Sequence, residues 1–290
     1  LFFGRLVTAM VTPFNDQMEV DYELTKKLVE HLIATGTETI VVSGTTGESP
    51  TLTNAEKLQL FAKVLEYAGG KAKVIAGTGT NSTASTIELT KGAEKIGVDG
   101  IMIVAPYYNK PSQEGIIQHF SAIAKETKLP IMIYNVPGRT SVNIQATTIV
   151  ELAKITNIVA VKEASGDLTQ MAEIIRDTPE DFYLYSGDDK MTIPVLSIGG
   201  VGIVSVASHV VGREMKEMIH SFIEGDVKSA AKAHQKLIEL FEGIFLSSNP
   251  APIKDLLNVL GIETGSVRLP LIALTTEQSQ YLKAIYDRIK

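Results

Sequence analysis

Short β-branched or apolar runs recur eight times along the chain, at Leu6 to Val11, Thr39 to Ser43, Lys73 to Gly77, Gly100 to Val104, Pro130 to Tyr134, Ile158 to Lys162, Phe182 to Ser186 and Gly202 to Val206. Between most of them lies a segment whose apolar residues recur at helical spacing, with its own start and stop signals. In the first such segment Leu24, Leu28 and Leu32 line one face and Gly36 ends the helix. The second opens at a capping box, Thr53 with Glu56, carries Leu58, Phe61 and Leu65 inward and stops at Gly69-Gly70. The fourth runs from about Ser112 with Ile116, Phe120 and Ile123 as its stripe. No two runs are joined by a hairpin signal, so the sheet they form is wholly parallel and its connections are helical crossovers. Eight parallel strands is the number that closes a (β/α)₈ barrel, and the expected class is α/β, a TIM barrel. The competing open, doubly wound sheet needs a dinucleotide fingerprint after an early strand. Gly77-Thr78-Gly79 lacks the third glycine at the right offset, and no Walker A lysine follows a glycine-rich loop.

After about Gly225 the strand signal stops. Asp226 to Leu246, Ala251 to Leu260 and Thr276 to Ile289 read as helices, with Gly261, Gly265 and Pro270 in the connections. The expected organisation is a barrel domain of residues 1–224 and a small C-terminal helical domain of residues 225–290 packed on it. A chain of 290 residues that is 44% hydrophobic can bury a core of that size. It has no cysteine, which excludes disulfides, iron–sulfur clusters and thiolate zinc sites and fits a reducing, cytoplasmic location. The five histidines, His31, His119, His209, His220 and His234, show no metal-ligand spacing, so no metal is expected. A net charge of −6 without basic runs argues against a nucleic acid or an anionic membrane as partner. The apolar opening, Leu1 to Phe14, is interrupted by Arg5, followed closely by Pro13 and far too short to span a bilayer. It holds the first strand, and the absence of an initiator methionine fits a trimmed start.

Active sites of such barrels sit at the carboxyl ends of the strands. The sixth run ends in Lys162, followed by Glu163-Ala164-Ser165-Gly166-Asp167. An ordinary lysine has a pKa near ~10.4, and keeping its amine neutral at pH 7 costs roughly 4 to 5 kcal/mol. Apolar walls supply such a cost by disfavouring the ammonium form, leaving a nucleophile that condenses with a ketone. After the second run comes Gly44-Thr45-Thr46-Gly47-Glu48, two hydroxyls and backbone N–H groups able to cradle a carboxylate. After the fourth comes Pro106-Tyr107-Tyr108-Asn109, and the fifth ends in Tyr134-Asn135-Val136-Pro137-Gly138-Arg139-Thr140. The seventh ends in Ser186-Gly187-Asp188-Asp189 and the eighth near Val204. Singly, each has a plain explanation: Lys162 snorkelling to solvent or paired with Glu163, a glycine turn, packing tyrosines, Arg139 in a surface ion pair. On one rim, together, they suit imine chemistry on a 2-oxo acid. Lys162 would form the Schiff base, the Gly44 to Gly47 loop would hold the carboxylate, a phenol would move protons and Arg139 would fork a second carboxylate. Phosphate is less attractive as a substrate group, because the last two loops offer only Lys190 as a cation before Arg213. No cofactor is called for.

Gly44-Thr45-Thr46-Gly47-Glu48-Ser49, Pro106-Tyr107-Tyr108-Asn109-Lys110-Pro111, Tyr134 to Thr140 and Val161-Lys162-Glu163-Ala164 resemble the dihydrodipicolinate synthases, within the pyruvate-dependent, N-acetylneuraminate lyase-like class I aldolase family. The resemblance covers essentially the whole chain, including Asn249-Pro250-Ala251-Pro252 in the helical tail. The lysine motif marks the family at large. Asn135 to Thr140 is narrower, since sialic acid and sugar-acid lyases generally lack arginine at that place.

The resemblance implies a lyase that condenses pyruvate with L-aspartate 4-semialdehyde to 4-hydroxy-tetrahydrodipicolinate, the first committed step of the diaminopimelate and lysine pathway. It implies that Lys162 condenses with pyruvate, that Thr45 and Thr46 bind its carboxylate, and that Arg139 binds the semialdehyde carboxylate. Tyr134, Thr45 and Tyr108 would form a proton relay, with Tyr108 lent by a neighbouring subunit, so a homo-oligomer, dimer or tetramer, is expected. Gly187 and Val204 match backbone positions beside pyruvate, the latter often isoleucine in the family. Members inhibited by lysine bind it in a cleft between subunits that matches Ser49, Pro50, Asn54, Lys57, Asn81, Ser85 and Tyr107. They carry histidine or a similar group at Lys57 and glutamate at Ser85, so insensitivity to lysine is expected. Two other readings stay open: an aldolase of the same family acting on a sugar acid, against which Arg139 argues, and a non-catalytic barrel that binds 2-oxo acids or scaffolds partners.

Overall fold

Each of the eight apolar runs forms a strand in the computed structural model, which describes residues 2–290. Leu1, the first residue of the apolar opening, lies outside the described residues. The strands are β1 Leu6–Ala9, β2 Thr39–Val42, β3 Lys73–Gly77, β4 Gly100–Val104, β5 Ile131–Asn135, β6 Ile158–Glu163, β7 Tyr183–Ser186 and β8 Gly202–Ser205, and they follow one another in order round a closed parallel barrel. The helices are α1 Tyr22–Ala34, α2 Asn54–Ala68, α3 Thr83–Ile96, α4 Gln113–Lys125, α5 Pro137–Thr140, α6 Ala146–Leu152, α7 Leu168–Asp177, α8 Thr192–Ser197, α9 Ser208–Ile223, α10 Val227–Gly243, α11 Ala251–Val259 and α12 Thr276–Ile289. No helix among the described residues is long and apolar enough to cross a membrane.

Local signals set most helix ends. The Thr53 hydroxyl accepts from the Glu56 N–H while the Glu56 carboxylate returns to the Thr53 N–H, and Gly69 closes α2 with a left-handed φ of 54°. Asp167, in the loop just after the lysine motif, caps α7 through the N–H groups of Thr169 and Gln170.

The inward face of α2 differs from the expected one. Lys57, Leu60, Phe61, Val64 and Ala68 are its buried residues, whereas Leu58 and Leu65 are only half-buried. The buried stripe is a regular i, i+3, i+4, i+7 pattern that includes a lysine, so a reading by hydrophobicity alone rotates the helix toward the leucines. In α1, Leu28, Val29 and Leu32 are buried and Leu24 is half-buried.

By packing, the chain divides into two units, one of residues up to Val74 together with Ser205–Lys290 and one of Ile75–Val204. In the first, β1 pairs with β2 through Val7↔Thr39, Thr8↔Ile40 and Ala9↔Val41. The N–H of Val11, just past β1, donates to Nε2 of the fully buried His209, whose Nδ1–H donates to the Val206 carbonyl. That pair of bonds defines a neutral imidazole, and burial holds the His209 pKa down at about 4. Helix α10 packs on α9 and α12, and α11 on α9 and α12. Gly225, at φ 87°, turns the chain between α9 and α10, where the barrel and helical domains were expected to meet. In the second unit β4, β5, β6 and β7 pair in register through Val104↔Tyr134, Tyr134↔Lys162 and Lys162↔Tyr185.

Candidate active site

Strand alternation decides where the lysine points. Glu163 is fully buried on the helix-covered side of the sheet, where its carboxylate accepts from Asn135 Nδ2, the Ser165 N–H and Gln170 Nε2 of α7 at 2.7–3.2 Å. Its neighbour Lys162 therefore faces the barrel interior. Lys162 is 5% exposed, its ammonium lies 4.0 Å from the centroid of the Tyr134 ring, and no carboxylate among the described residues pairs with it. Both plain explanations of this residue, snorkelling and pairing with Glu163, are thus set aside. Gly187 lies beside it: a Cβ there would come within 3.2 Å of the Lys162 side chain and 2.7 Å of Ala164 Cβ, so glycine makes room for the lysine stem. Val204 is buried on β8.

Burial pushes the Glu163 pKa up, and the hydrogen bonds from Asn135, Ser165 and Gln170 pull the other way. The network continues outward. Asn143 Nδ2 donates to Gln170 Oε1, and the Ile144 N–H donates to Asn135 Oδ1, tying the segment after α5 to β5. Arg139 rides on the single turn α5, which Thr140 closes by bonding the Val136 and Val142 carbonyls. Its guanidinium is exposed and pairs with no carboxylate among the described residues, so the surface ion-pair explanation also falls.

Tyr107 is half-buried and its carbonyl accepts from Asn81 Nδ2, while Asn109 Nδ2 donates back to the Asn81 carbonyl. Between these clamps Tyr108 is 88% exposed at a left-handed φ of 74°. A non-glycine residue in that region costs of order 1 kcal/mol or more.

The Gly44 to Glu48 loop belongs to the other unit and is built differently. Ser43 and Glu48, at φ 58° and 55°, bracket it. A Cβ on Gly47 would lie 3.0 Å from the Ser43 backbone, so the loop folds back tightly on β2. Thr46 is buried and Thr45 half-buried. Thr46 Oγ1 accepts from Asn249 Nδ2 at 2.9 Å, and Thr12 Oγ1 donates to the Gly47 carbonyl at 2.7 Å. Glu48 and Lys254 form an ion pair of 3.1 Å with both side chains only 2% exposed. Lys254 also donates to the Ser266 carbonyl, and the second Glu48 oxygen accepts the Arg268 N–H. Arg268 continues to Glu56, and both cations lie over the Phe14 ring, Lys254 at 4.2 Å and Arg268 at 4.4 Å. Burial pushes the Lys254 pKa down to about 8 against the opposing pull of Glu48.

Sequence reasoning missed Lys254, Arg268 and the role of Asn249. Asn249 stood in the motif that resembles the family, but no spacing tied it to residue 46.

A parallel (β/α)₈ barrel with a buried lysine on its sixth strand, unpaired with any carboxylate among the described residues, and a phenol ring against it defines a class by fold and site, the barrels with a buried strand-end lysine. Comparison with known proteins narrows it. The Dihydrodipicolinate synthetase family model matches residues 2–289. The chain is 57% identical over 280 residues to 4-hydroxy-tetrahydrodipicolinate synthase 1 of Halalkalibacterium halodurans, covering 97% of this chain and 95% of that protein. Dihydrodipicolinate synthase from Bacillus anthracis superposes with a TM-score of 0.97 at 52% identity, over 98% of each chain. The Cyanidioschyzon merolae enzyme, solved with lysine bound, superposes with a TM-score of 0.98 at 49% identity, over 99% of this chain and 98% of that one. The chain belongs to the dihydrodipicolinate synthetase family.

Proposed function

We propose that this chain condenses pyruvate with L-aspartate 4-semialdehyde to 4-hydroxy-tetrahydrodipicolinate, within a barrel of residues 1–224 and a helical domain of residues 225–290. The observation that carries it is Lys162, buried, without a carboxylate partner among the described residues and stacked on Tyr134. The Lys162 amine adds to C2 of pyruvate and water leaves, giving an imine. Loss of a proton from C3 gives an enamine, whose carbon attacks the aldehyde carbon of the semialdehyde. The semialdehyde's own amine then adds to C2, closing the ring and expelling Lys162, so one water is released per turnover. Thr45 and Thr46 bind the pyruvate carboxylate, with the backbones of Gly187 and Val204 beside it. Tyr134, Thr45 and Tyr108 relay the protons.

Arg139 binds the semialdehyde carboxylate; its guanidinium is exposed and pairs with no carboxylate among the described residues, and its presence argues against the sugar-acid lyases, which generally lack it. Tyr108 completes the site of a neighbouring subunit, which its strained, exposed backbone geometry supports, so the working form is a homo-oligomer. The reading places it in the cytoplasm, as fits a chain without cysteine.

Borohydride reduction with pyruvate present, followed by intact mass and peptide mapping, tests the reading. One pyruvate-derived group per chain is expected at Lys162, and none in Lys162→Arg, because a guanidinium stays protonated and cannot serve as the nucleophile. Labelling at another lysine would defeat the assignment, and no labelling at all would favour a non-catalytic barrel.

A further inference from the structure

Residues 46, 47 and 48 are each held by a side chain from a distant part of the chain: Thr46 by Asn249, the Gly47 carbonyl by Thr12, and Glu48 by Lys254. Two of these three holders sit in one short stretch, Asn249 just before α11 and Lys254 within its first two turns. They grip the loop on either side of Gly47. Asn249 is 6% exposed, so its amide is not free to wander.

The direction of the Asn249–Thr46 bond has a chemical consequence. A hydroxyl has one hydrogen to give and two lone pairs to receive with, whereas a carboxylate only receives. The amide nitrogen of Asn249 donates into a lone pair of Thr46 Oγ1 at 2.9 Å, so the hydroxyl's own hydrogen stays available to an acceptor. An acceptor in place of that amide nitrogen would take the hydrogen and turn a lone pair toward the ligand instead.

We propose that Asn249 is a positioning residue for carboxylate binding: it holds the buried Thr46 hydroxyl as a hydrogen-bond donor toward the carboxylate of the 2-oxo acid. The Lys254–Glu48 pair holds the same helix against the same loop, so the donor is oriented before the substrate arrives. The assignment rests on the reading of Gly44 to Gly47 as the carboxylate site.

The test compares wild type, Asn249→Ala, Asn249→Asp, Thr46→Val and the double variant Asn249→Ala with Thr46→Val. The readouts are kcat, KM for pyruvate, the pyruvate concentration that half-saturates borohydride trapping, and the thermal midpoint. Asn249→Ala is expected to raise the pyruvate KM about tenfold, the size of one hydrogen bond's contribution, with kcat changed less than about twofold. Asn249→Asp has nearly the shape of asparagine, so it guards against a folding failure. It should raise KM further than alanine does, because it reverses the bond and brings an anion near the carboxylate. In the Thr46→Val background, Asn249→Ala should change KM no more, since the hydroxyl it orients is gone. An unchanged pyruvate KM in a folded Asn249→Asp, with only kcat or the thermal midpoint lowered, would make Asn249 structural and overturn the assignment, as would full additivity in the double variant. Those outcomes leave wild-type trapping at Lys162 intact; absence of trapping in the wild type would sink the imine reading itself and this assignment with it.

Discussion

The loop after β2 and the segment after β4 carry candidate groups of the same proposed site, yet they are built in opposite ways. In Gly44 to Glu48, residues 46, 47 and 48 are each held from within the loop's own unit, the last by an ion pair almost without solvent contact. Tyr108 is clamped through its neighbours, the Tyr107 carbonyl and the Asn109 side chain, and is itself exposed at a left-handed φ. Arg139, on the turn after β5, is likewise exposed and pairs with no carboxylate among the described residues. The difference separates two kinds of preparation. The Gly44 to Glu48 loop is finished by the chain itself, whereas Tyr108 and Arg139 are, in our reading, presented to something that arrives from outside, a second subunit and the acceptor aldehyde.

The sharpest way to break this comparison is to unpair the closed side. Lys254→Ala leaves the Glu48 carboxylate buried without its cation, and equilibrium unfolding in urea should show a loss of about 3–5 kcal/mol. On the open side Arg139→Ala should leave stability within about 0.5 kcal/mol. It should instead cost roughly 2–5 kcal/mol in kcat/KM for the semialdehyde while the pyruvate adduct survives. A stability loss in Arg139→Ala comparable to that of Lys254→Ala would erase the distinction. Wild-type kcat/KM in the same variant would make Arg139 a bystander.

The smallest expected effect concerns L-lysine. Lys57 is buried on α2 and Ser85 is exposed on α3, a cation and a neutral group where the resemblance implies that lysine-inhibited members typically carry histidine or a similar group and glutamate. Two unit charges at ~4 Å repel by about 4 kcal/mol at an effective dielectric near ~20. Burial pushes the Lys57 pKa down, which tempers that repulsion, but nothing at Ser85 replaces the missing anion. Millimolar L-lysine should leave turnover unchanged. Saturable inhibition with a sub-millimolar midpoint, abolished by substituting Tyr107, would show that the cleft still works as in inhibited members.

What could be read from the residues alone divides along similar lines. The strands were legible because a fully buried parallel strand is a short apolar run between turn signals, and Lys162 was legible because a charged residue interrupts such a run at the end where barrels keep their chemistry. The inward face of α2 was misread because Lys57 lies in the buried stripe while Leu58 and Leu65 lie beside it. Asn249, Lys254 and Arg268 were illegible for a different reason. Their partners are set by the tertiary fold, and neither helical nor strand periodicity links one residue to another some two hundred positions away.

That separation also acts in time. Thr46 and Asn249 are 203 positions apart, and Glu48 and Arg268 are 220 apart. A ribosome adding roughly 5–20 residues per second needs on the order of 10–40 s to travel from the first partner to the second. By the end of that interval the nascent chain has gained its remaining barrel strands and its lysine, and all the while it lacks the segment that grips the loop. Contacts of such long reach are also slow to form after synthesis, because loop closure must precede them. The Gly44 to Glu48 loop is therefore translated well before the segment that grips it, and takes its held form only after that segment has been made.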